Sequence, residues 1–221
     1  MRLSPPWLVV VALMSLAQSG SSASPGIAVE DQLDLVQLDR RVFLIDARGQ
    51  RRRELELEIG EEVVGLDTRG LVAVVRTTSR ILGTTTEISG WQELRYRVRE
   101  RQNLPDRVYL GDRVALVALP NRLMGLSTTS ASWQEFPIGA REVWGSIFTG
   151  TNVAIVLTNR RAIAFAPGIS QFVEITLTPQ EAIEDISVRE NSATLTTSKR
   201  LLIFRVGSGQ WTDITRRARG N

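Results

Sequence analysis

Five stretches of this chain repeat one pattern at nearly constant intervals. RRVFLIDARGQRRRELEL, SRILGTTTEISGWQELRY, NRLMGLSTTSASWQEFPI, RRAIAFAPGISQFVEITL and KRLLIFRVGSGQWTDITR align without gaps around an arginine. That arginine is Arg41, Arg80, Arg122, Arg161 and Arg200, at intervals of 39, 42, 39 and 39 residues. Eleven residues later stand Arg52, Trp91, Trp133, Phe172 and Trp211, and thirteen later an acid in every copy: Glu54, Glu93, Glu135, Glu174 and Asp213. The next position is always apolar: Leu55, Leu94, Phe136, Ile175 and Ile214. A unit of about 40 residues copied in this way cannot bury its own apolar faces alone, so its neighbours must stack on it.

Each unit reads as four strands. Before the arginine lies an unalternating apolar run, as in Leu71–Val75, Val114–Leu119 and Val153–Leu157, a pattern that indicates burial on both faces. A short polar turn follows, and a second run begins at the arginine. The acid-bearing segment alternates instead: Leu55, Leu57 and Ile59 between Glu54, Glu56 and Glu58, and Leu94, Tyr96 and Val98 among Arg95, Arg97 and Arg99. Alternation means that one face meets solvent, which makes this the outermost strand. A short run opens each unit at Val63–Leu66, Val108–Leu110, Val143–Phe148 and Ile183–Val188, and Gly26–Val29 takes that part in the first.

Four antiparallel strands repeating about every 40 residues are the pattern of a propeller blade. Over residues 25–218 the chain resembles the β-propeller superfamily, in the general manner of WD-repeat proteins. Period and strand pattern carry the resemblance; the sequence has no Gly–His pair, and no Trp–Asp dipeptide ends a strand. The resemblance implies an all-β, five-bladed propeller of four-stranded antiparallel blades, at approximately 24–60, 61–103, 104–140, 141–179 and 180–218. With Gly26–Val29 in the first blade, every blade is one continuous segment, and ring closure rests on packing between first and last blades. A β-sandwich or barrel of short strands is the competing architecture, but it has no need of five units in register. Five-bladed propellers include lectins and glycosidases, so the resemblance leaves function open.

Residues 1–23 read as a secretory signal peptide. Arg2 is the positive start, Trp7–Ala17 the apolar run, and Ser21 and Ala23 the small positions before cleavage. The run is well short of the roughly 20 residues that span a bilayer. Without cysteine no lipid anchor follows it. The expectation is a periplasmic or secreted domain held by packing rather than disulfides, with no membrane span after cleavage.

Composition removes much chemistry. There is no Cys and no His, which excludes disulfides, thiol nucleophiles, imidazole bases and His-based zinc sites. The one lysine, Lys199, lacks the glycine-rich lead-in of a P-loop. No cofactor and no metal is expected. The net charge of +3 is small, and nucleic acid is not an expected partner.

For the repeated arginines the first expectation is structural: Arg41/Glu54, Arg80/Glu93, Arg122/Glu135, Arg161/Glu174 and Arg200/Asp213 form ion pairs within blades or across blade seams. A second reading uses the turns themselves. Arg40, Arg41, Arg80, Arg122, Arg160, Arg161, Lys199 and Arg200 would emerge on one face and attract an anionic partner. The aromatic series Trp91, Trp133, Phe172 and Trp211 reads as a seam wedge rather than a sugar platform. Trp144, in an opening strand expected to line the central channel, is a further candidate contact. The expected function is that of an exported noncatalytic module recognising an envelope protein or polysaccharide. The alternative is a carboxylate-dependent glycosidase at the channel mouth, with Asp67, Asp106 and Asp185 as donors.

Overall fold

The computed structural model describes residues 32–47, 52–169 and 171–216, and these build five antiparallel sheets. The first holds β1 (Leu33–Leu38), β2 (Arg41–Asp46) and β3 (Arg52–Glu56). The second holds β4 (Val63–Arg69), β5 (Val72–Thr77), β6 (Arg80–Thr85) and β7 (Gln92–Arg95). The third holds β8 (Tyr109–Leu110), β9 (Val114–Leu119), β10 (Arg122–Ser127) and β11 (Gln134–Pro137). The fourth holds β12 (Trp144–Thr149), β13 (Ala154–Thr158), β14 (Arg161–Phe165) and β15 (Val173–Thr176). The fifth holds β16 (Ile183–Val188), β17 (Ser192–Thr197), β18 (Arg200–Arg205) and β19 (Gln210–Thr215). In every sheet the spatial order follows the chain, so each is a simple meander and each is one blade of a β-propeller. The expected opening strand at Gly26–Val29 and the expected signal peptide at 1–23 lie outside the described residues.

Burial explains the two hydrophobic patterns. β5 and β6 are buried at every position, as is β10, because each middle blade is covered on both faces by its neighbours. Outer strands are covered on one side only: in β3 Leu55 is buried while Glu54 and Glu56 are exposed, and in β7 Leu94 is buried while Arg95 is exposed. Opposite faces of one sheet therefore serve different seams. In the second blade Val72, Val74 and Ile81 pack with Ala115, Val117 and Met124 of the third. Its Val75 and Leu82 pack with Val42 and Leu55 of the first. The next seams join Leu116 and Leu123 to Val156, Ile163 and Phe165, then Ile155 and Leu157 to Leu195, Leu202 and Phe204. Each such side chain contributes about 1.5–3 kcal/mol when fully buried, and all of it is lost to a blade without neighbours.

The aromatic series lies in these seams. Trp133 packs in the cluster between second and third blades and its indole N–H donates to the Gln92 carbonyl at 2.9 Å. Trp211 donates to the Val173 carbonyl of the preceding blade at 3.1 Å and packs on Phe204. Phe172 stacks with Phe165 and Phe136. Room for the rings comes from glycine on the facing strand. A Cβ on Gly83 would stand 2.6 Å from the Trp133 ring, and one on Gly125 would stand 2.7 Å from Phe172.

Successive blades are also stitched through the main chain at the other end of the strands. Gln32 N–H donates to Gly70 O, Leu71 to Asp112, Arg113 to Thr151 and Asn152 to Glu190, all at 2.8–3.0 Å. Among the described residues no comparable strand packing joins the fifth blade to the first. The described faces at these two ends also differ in composition from those of the inner seams. Where the second, third and fourth blades present Val72/Val74, Val114/Leu116 and Val153/Ile155, the fifth presents Ser192 and Thr194. At the other end Val36, Leu38 and Ile45 are 48%, 62% and 44% exposed.

Candidate functional site

The repeated arginine is the hub of a polar clamp that returns in four blades. It opens the third strand of the blade at a tight turn, beside the fourth strand, so the acid thirteen residues on comes within reach across the hairpin. All five expected pairs are present: Arg41–Glu54, Arg80–Glu93, Arg122–Glu135, Arg161–Glu174 and Arg200–Asp213. Four of these guanidinia also grip a second, deeper carboxylate from the connector that precedes the blade. Arg80 donates from Nε and Nη2 to Glu61, both at 2.9 Å, and Arg122 does so to Glu100, both at 2.7 Å. Arg161 holds Glu142 at 2.7 and 2.6 Å, and Arg200 holds Glu181 at 2.8 and 3.1 Å. The remaining donor crosses the seam. Arg122 Nη2 reaches the Arg95 carbonyl at 3.2 Å and Arg161 Nη2 the Pro137 carbonyl at 3.1 Å; Arg80 and Arg200 do the same to Glu56 and Thr176. One planar fork thus ties the outer strand of its own blade, the incoming connector and the outer strand of the previous blade.

These deeper acids were not among the sequence-predicted residues, although a signal exists. Glu61, Glu142 and Glu181 each stand nineteen residues before the arginine, and Thr77, Thr158 and Thr197 stand three before it. Each threonine hydroxyl donates to the glutamate at 2.6–2.8 Å and accepts from the arginine N–H at 2.9–3.1 Å. The third blade hides the pattern, because its connector is longer and Leu119 replaces the threonine. Arg41 pairs with Glu54 alone among the described residues, and its side chain stays 59% exposed against 5% for Arg122.

Burial by itself opposes ionisation of Glu61, Glu142 and Glu181. Hydrogen bonds from arginine, threonine and a backbone N–H outweigh it and hold each carboxyl down at about 2. Glu100 is lowered in the same way, with Arg122 and the Arg97 N–H overcoming its burial. The arginines move oppositely: the bonds to Glu61 raise Arg80, with burial opposing. The clamp is therefore fully charged at neutral pH, and its guanidinia are committed to structure.

What this leaves on the surface is a different set of cations. The clamp end of each blade carries the turn between its second and third strands together with the connectors, as main-chain bonds Leu57 N–H to Arg40, Ile138 to Asn121 and Leu177 to Arg160 show. On this connector face Arg40, Arg99, Arg101, Arg141, Arg160 and Lys199 are exposed, and none has an ion-pair partner among the described residues. Arg40 and Lys199 donate only to main-chain carbonyls and a hydroxyl: Arg40 to Leu57 O, Lys199 to Pro179 O and Thr178 Oγ1. Asp39, Glu56, Glu62 and Asp106 are exposed acids at this end without an ion-pair partner among the described residues. Of the eight basic residues expected at the turns, the structure thus places Arg41, Arg80, Arg122, Arg161 and Arg200 in ion pairs, and leaves Arg40, Arg160 and Lys199 outward.

Trp144 begins β12, opposite Thr158, and is half-buried against the cluster of Val114, Leu116 and Ile163 at the seam of third and fourth blades. The acids proposed for catalysis come from separate elements, although Arg76, which holds Asp67, also donates to the carbonyl of Pro105 beside Asp106 at 2.9 Å. Asp67 on β4 is held by Arg76 at 2.9 Å, Asp106 lies on the connector before β8, and Asp185 is on β16. Among the described residues no group of three or more carboxylates gathers as a metal site, and no helix is long and apolar enough to cross a membrane.

No protein-family description matches the sequence, and no curated protein matches it. Solved structures do match. A chain in the crystal structure of Kap60 bound to yeast RCC1 (Prp20) superposes with a TM-score of 0.40 at 7% identity, over 80% of this chain and 56% of that one. The N-terminal domain of Nup159 gives 0.35 at 9% identity, over 84% and 58%. PorZ, a bacterial surface component of the type-IX secretion system of Porphyromonas gingivalis, gives 0.40 at 10% identity, over 89% and 28%. The chain spans little more than half of the first two and about a quarter of the third.

Proposed function

We propose that this chain is an exported, noncatalytic interaction module that recognises a protein or polysaccharide of the cell envelope. One observation carries the proposal: the clamp neutralises the repeated arginines, yet among the described residues the connector face keeps six basic side chains without an acidic partner. A set of outward cations on a rigid face favours an anionic partner. Asp67, the acid best placed on an inner strand for glycoside hydrolysis, is tied to Arg76 at 2.9 Å, which supports binding over a reaction that needs two available carboxyl groups. The test is a pull-down from envelope extract together with a glycan array, using the wild-type chain and the triple reversal Arg99→Glu, Arg101→Glu, Arg141→Glu. The wild type should retain acidic material that the reversed chain releases. Retention of nothing, or equal retention by both, rules the proposal out.

A further inference from the structure

Between the fourth and fifth blades the connector face opens into a groove of about 480 Å³. Arg160, Asn159, Thr178 and Gln180 line it with polar atoms, and Leu177, Pro179 and Ile183 add apolar ones. Two of its groups are unspent: the Arg160 guanidinium and the Gln180 carboxamide are exposed, and neither has a side-chain partner among the described residues. Lys199 Nζ stands at the same place, 2.8 Å from the Pro179 carbonyl and 3.1 Å from Thr178 Oγ1. The carboxylate in the lining, Glu181, is turned inward on Arg200 and Thr197 and is 0% exposed. It offers a ligand a neutralised wall rather than a repulsive one.

Gln180 is also held in an unusual backbone state. Its φ is +62°, in the left-handed region that disfavours side chains, and it stands nineteen residues after the repeated arginine. At the corresponding place after Arg41 the chain has Gly60, with φ +78°. Arg99 and Arg141, at the corresponding places after Arg80 and Arg122, are outside this region, so among the described residues the left-handed turn is shared with the Gly60 connector alone and Gln180 carries a side chain in it. A disfavoured conformation retained at the mouth of a groove, with its polar group unspent, is the pattern of a ligand contact.

Resting on the reading of this chain as an interaction module, we infer that the groove binds a carboxylate-bearing sugar unit of an anionic polysaccharide. The planar fork of Arg160 matches a carboxylate at two points. The Gln180 carboxamide both donates and accepts, as sugar hydroxyls require. Leu177, Pro179 and Ile183 face the C–H side of a ring, and the volume falls within the usual range for small-ligand sites. An acidic peptide could also use the carboxamide, but beside its carboxylate an Asp or Glu side chain presents only one or two methylenes, whereas a sugar ring presents a C–H face to Leu177, Pro179 and Ile183.

The experiment is calorimetric titration of the full chain with trigalacturonate, its methyl ester and a triglutamate peptide. The variants are Arg160→Ala, Gln180→Gly and, at the opposite end of β18 from the connector face, Arg205→Ala. Trigalacturonate should bind the wild type and the Arg205 variant equally, and Arg160→Ala about tenfold more weakly, the usual effect of losing a charge-assisted hydrogen bond. Gln180→Gly should also weaken binding while its thermal midpoint stays level or rises, since glycine accepts the turn without strain. That combination separates a ligand contact from a folding defect. Absence of trigalacturonate binding, equal affinity for the ester or the peptide, or indifference to both groove variants overturns the inference. If envelope material is still captured by chains altered at Arg160 and Gln180, the groove falls and the module stands. If the wild type captures nothing, the module falls too.

Discussion

Replacing Glu61 with glutamine isolates the clamp at a single atom pair. Glu61 has a side chain only 1% exposed and accepts from Arg80 Nε and Nη2, Thr77 Oγ1, Ser79 Oγ and the Glu58 N–H. Glutamine keeps the shape but turns an NH2 toward donors that need an acceptor. The magnitude follows from the carboxyl's displacement from 4.5 to about 2: at about 1.4 kcal/mol per unit it is worth about 3 kcal/mol. Arg80 keeps Glu93, so the loss should stay near that figure rather than reach the larger penalty of a wholly unpaired buried charge. For a chain of this size that is a fall of about 6–12 °C in thermal midpoint. The sign with pH is fixed as well. A depressed carboxyl stabilises the fold above its unfolded pKa, and that stability is lost as pH falls through the folded value. The window is therefore from about 4.5 down to about 2. Glu61, Glu142 and Glu181 all titrate there, so unfolding stability should fall by about 4 kcal/mol per pH unit from these three groups. Glu61→Gln should reduce that slope by about a third. Urea unfolding followed by tryptophan fluorescence from pH 5 to 2.5 measures it. An unchanged slope, or a midpoint within about 1 °C of wild type, would refute the clamp as a charged structural device.

Two further outcomes follow from the seams. Gly125→Ala places a methyl group 2.7–2.9 Å from the rings of Phe172 and Phe165. These are packed against each other and cannot swing away, so stability should fall by about 1–3 kcal/mol, read by thermal unfolding. Thr194→Val, on the fifth blade's uncovered face, should change stability by less than about 0.5 kcal/mol. A loss above about 1 kcal/mol would mean that this face is packed against a neighbour that requires the hydroxyl.

The connector acids show best why part of the site escaped the sequence. The acid thirteen residues after each arginine is on the partner strand of a tight hairpin, so spacing alone fixes the contact. Glu61 and Glu142 arrive from a connector whose path depends on how two blades pack, and in the third blade that path is three residues longer. No fixed spacing covers all four. The basic turns were legible as a set. Which of them remain free was not, because Arg161 and Arg160 are adjacent in sequence and opposite in fate: one is drawn under by Glu142 and Glu174, the other points to solvent.

By itself the sequence determined the unit: a repeat near 40 residues, unalternating inner runs, an alternating outer strand, and one arginine matched to one acid in each copy. Those features are local, set by which faces of a strand can meet water, and they survive in one dimension. Tertiary structure alone decided what the units do to each other. It recruited a second acid and a neighbour's carbonyl to the arginine, and among the described residues it set no blade against Ser192 and Thr194. It also brought Arg160 and Gln180 to the lip of one groove. These depend on the angle and distance between blades, which packed side chains fix jointly and no single repeat encodes.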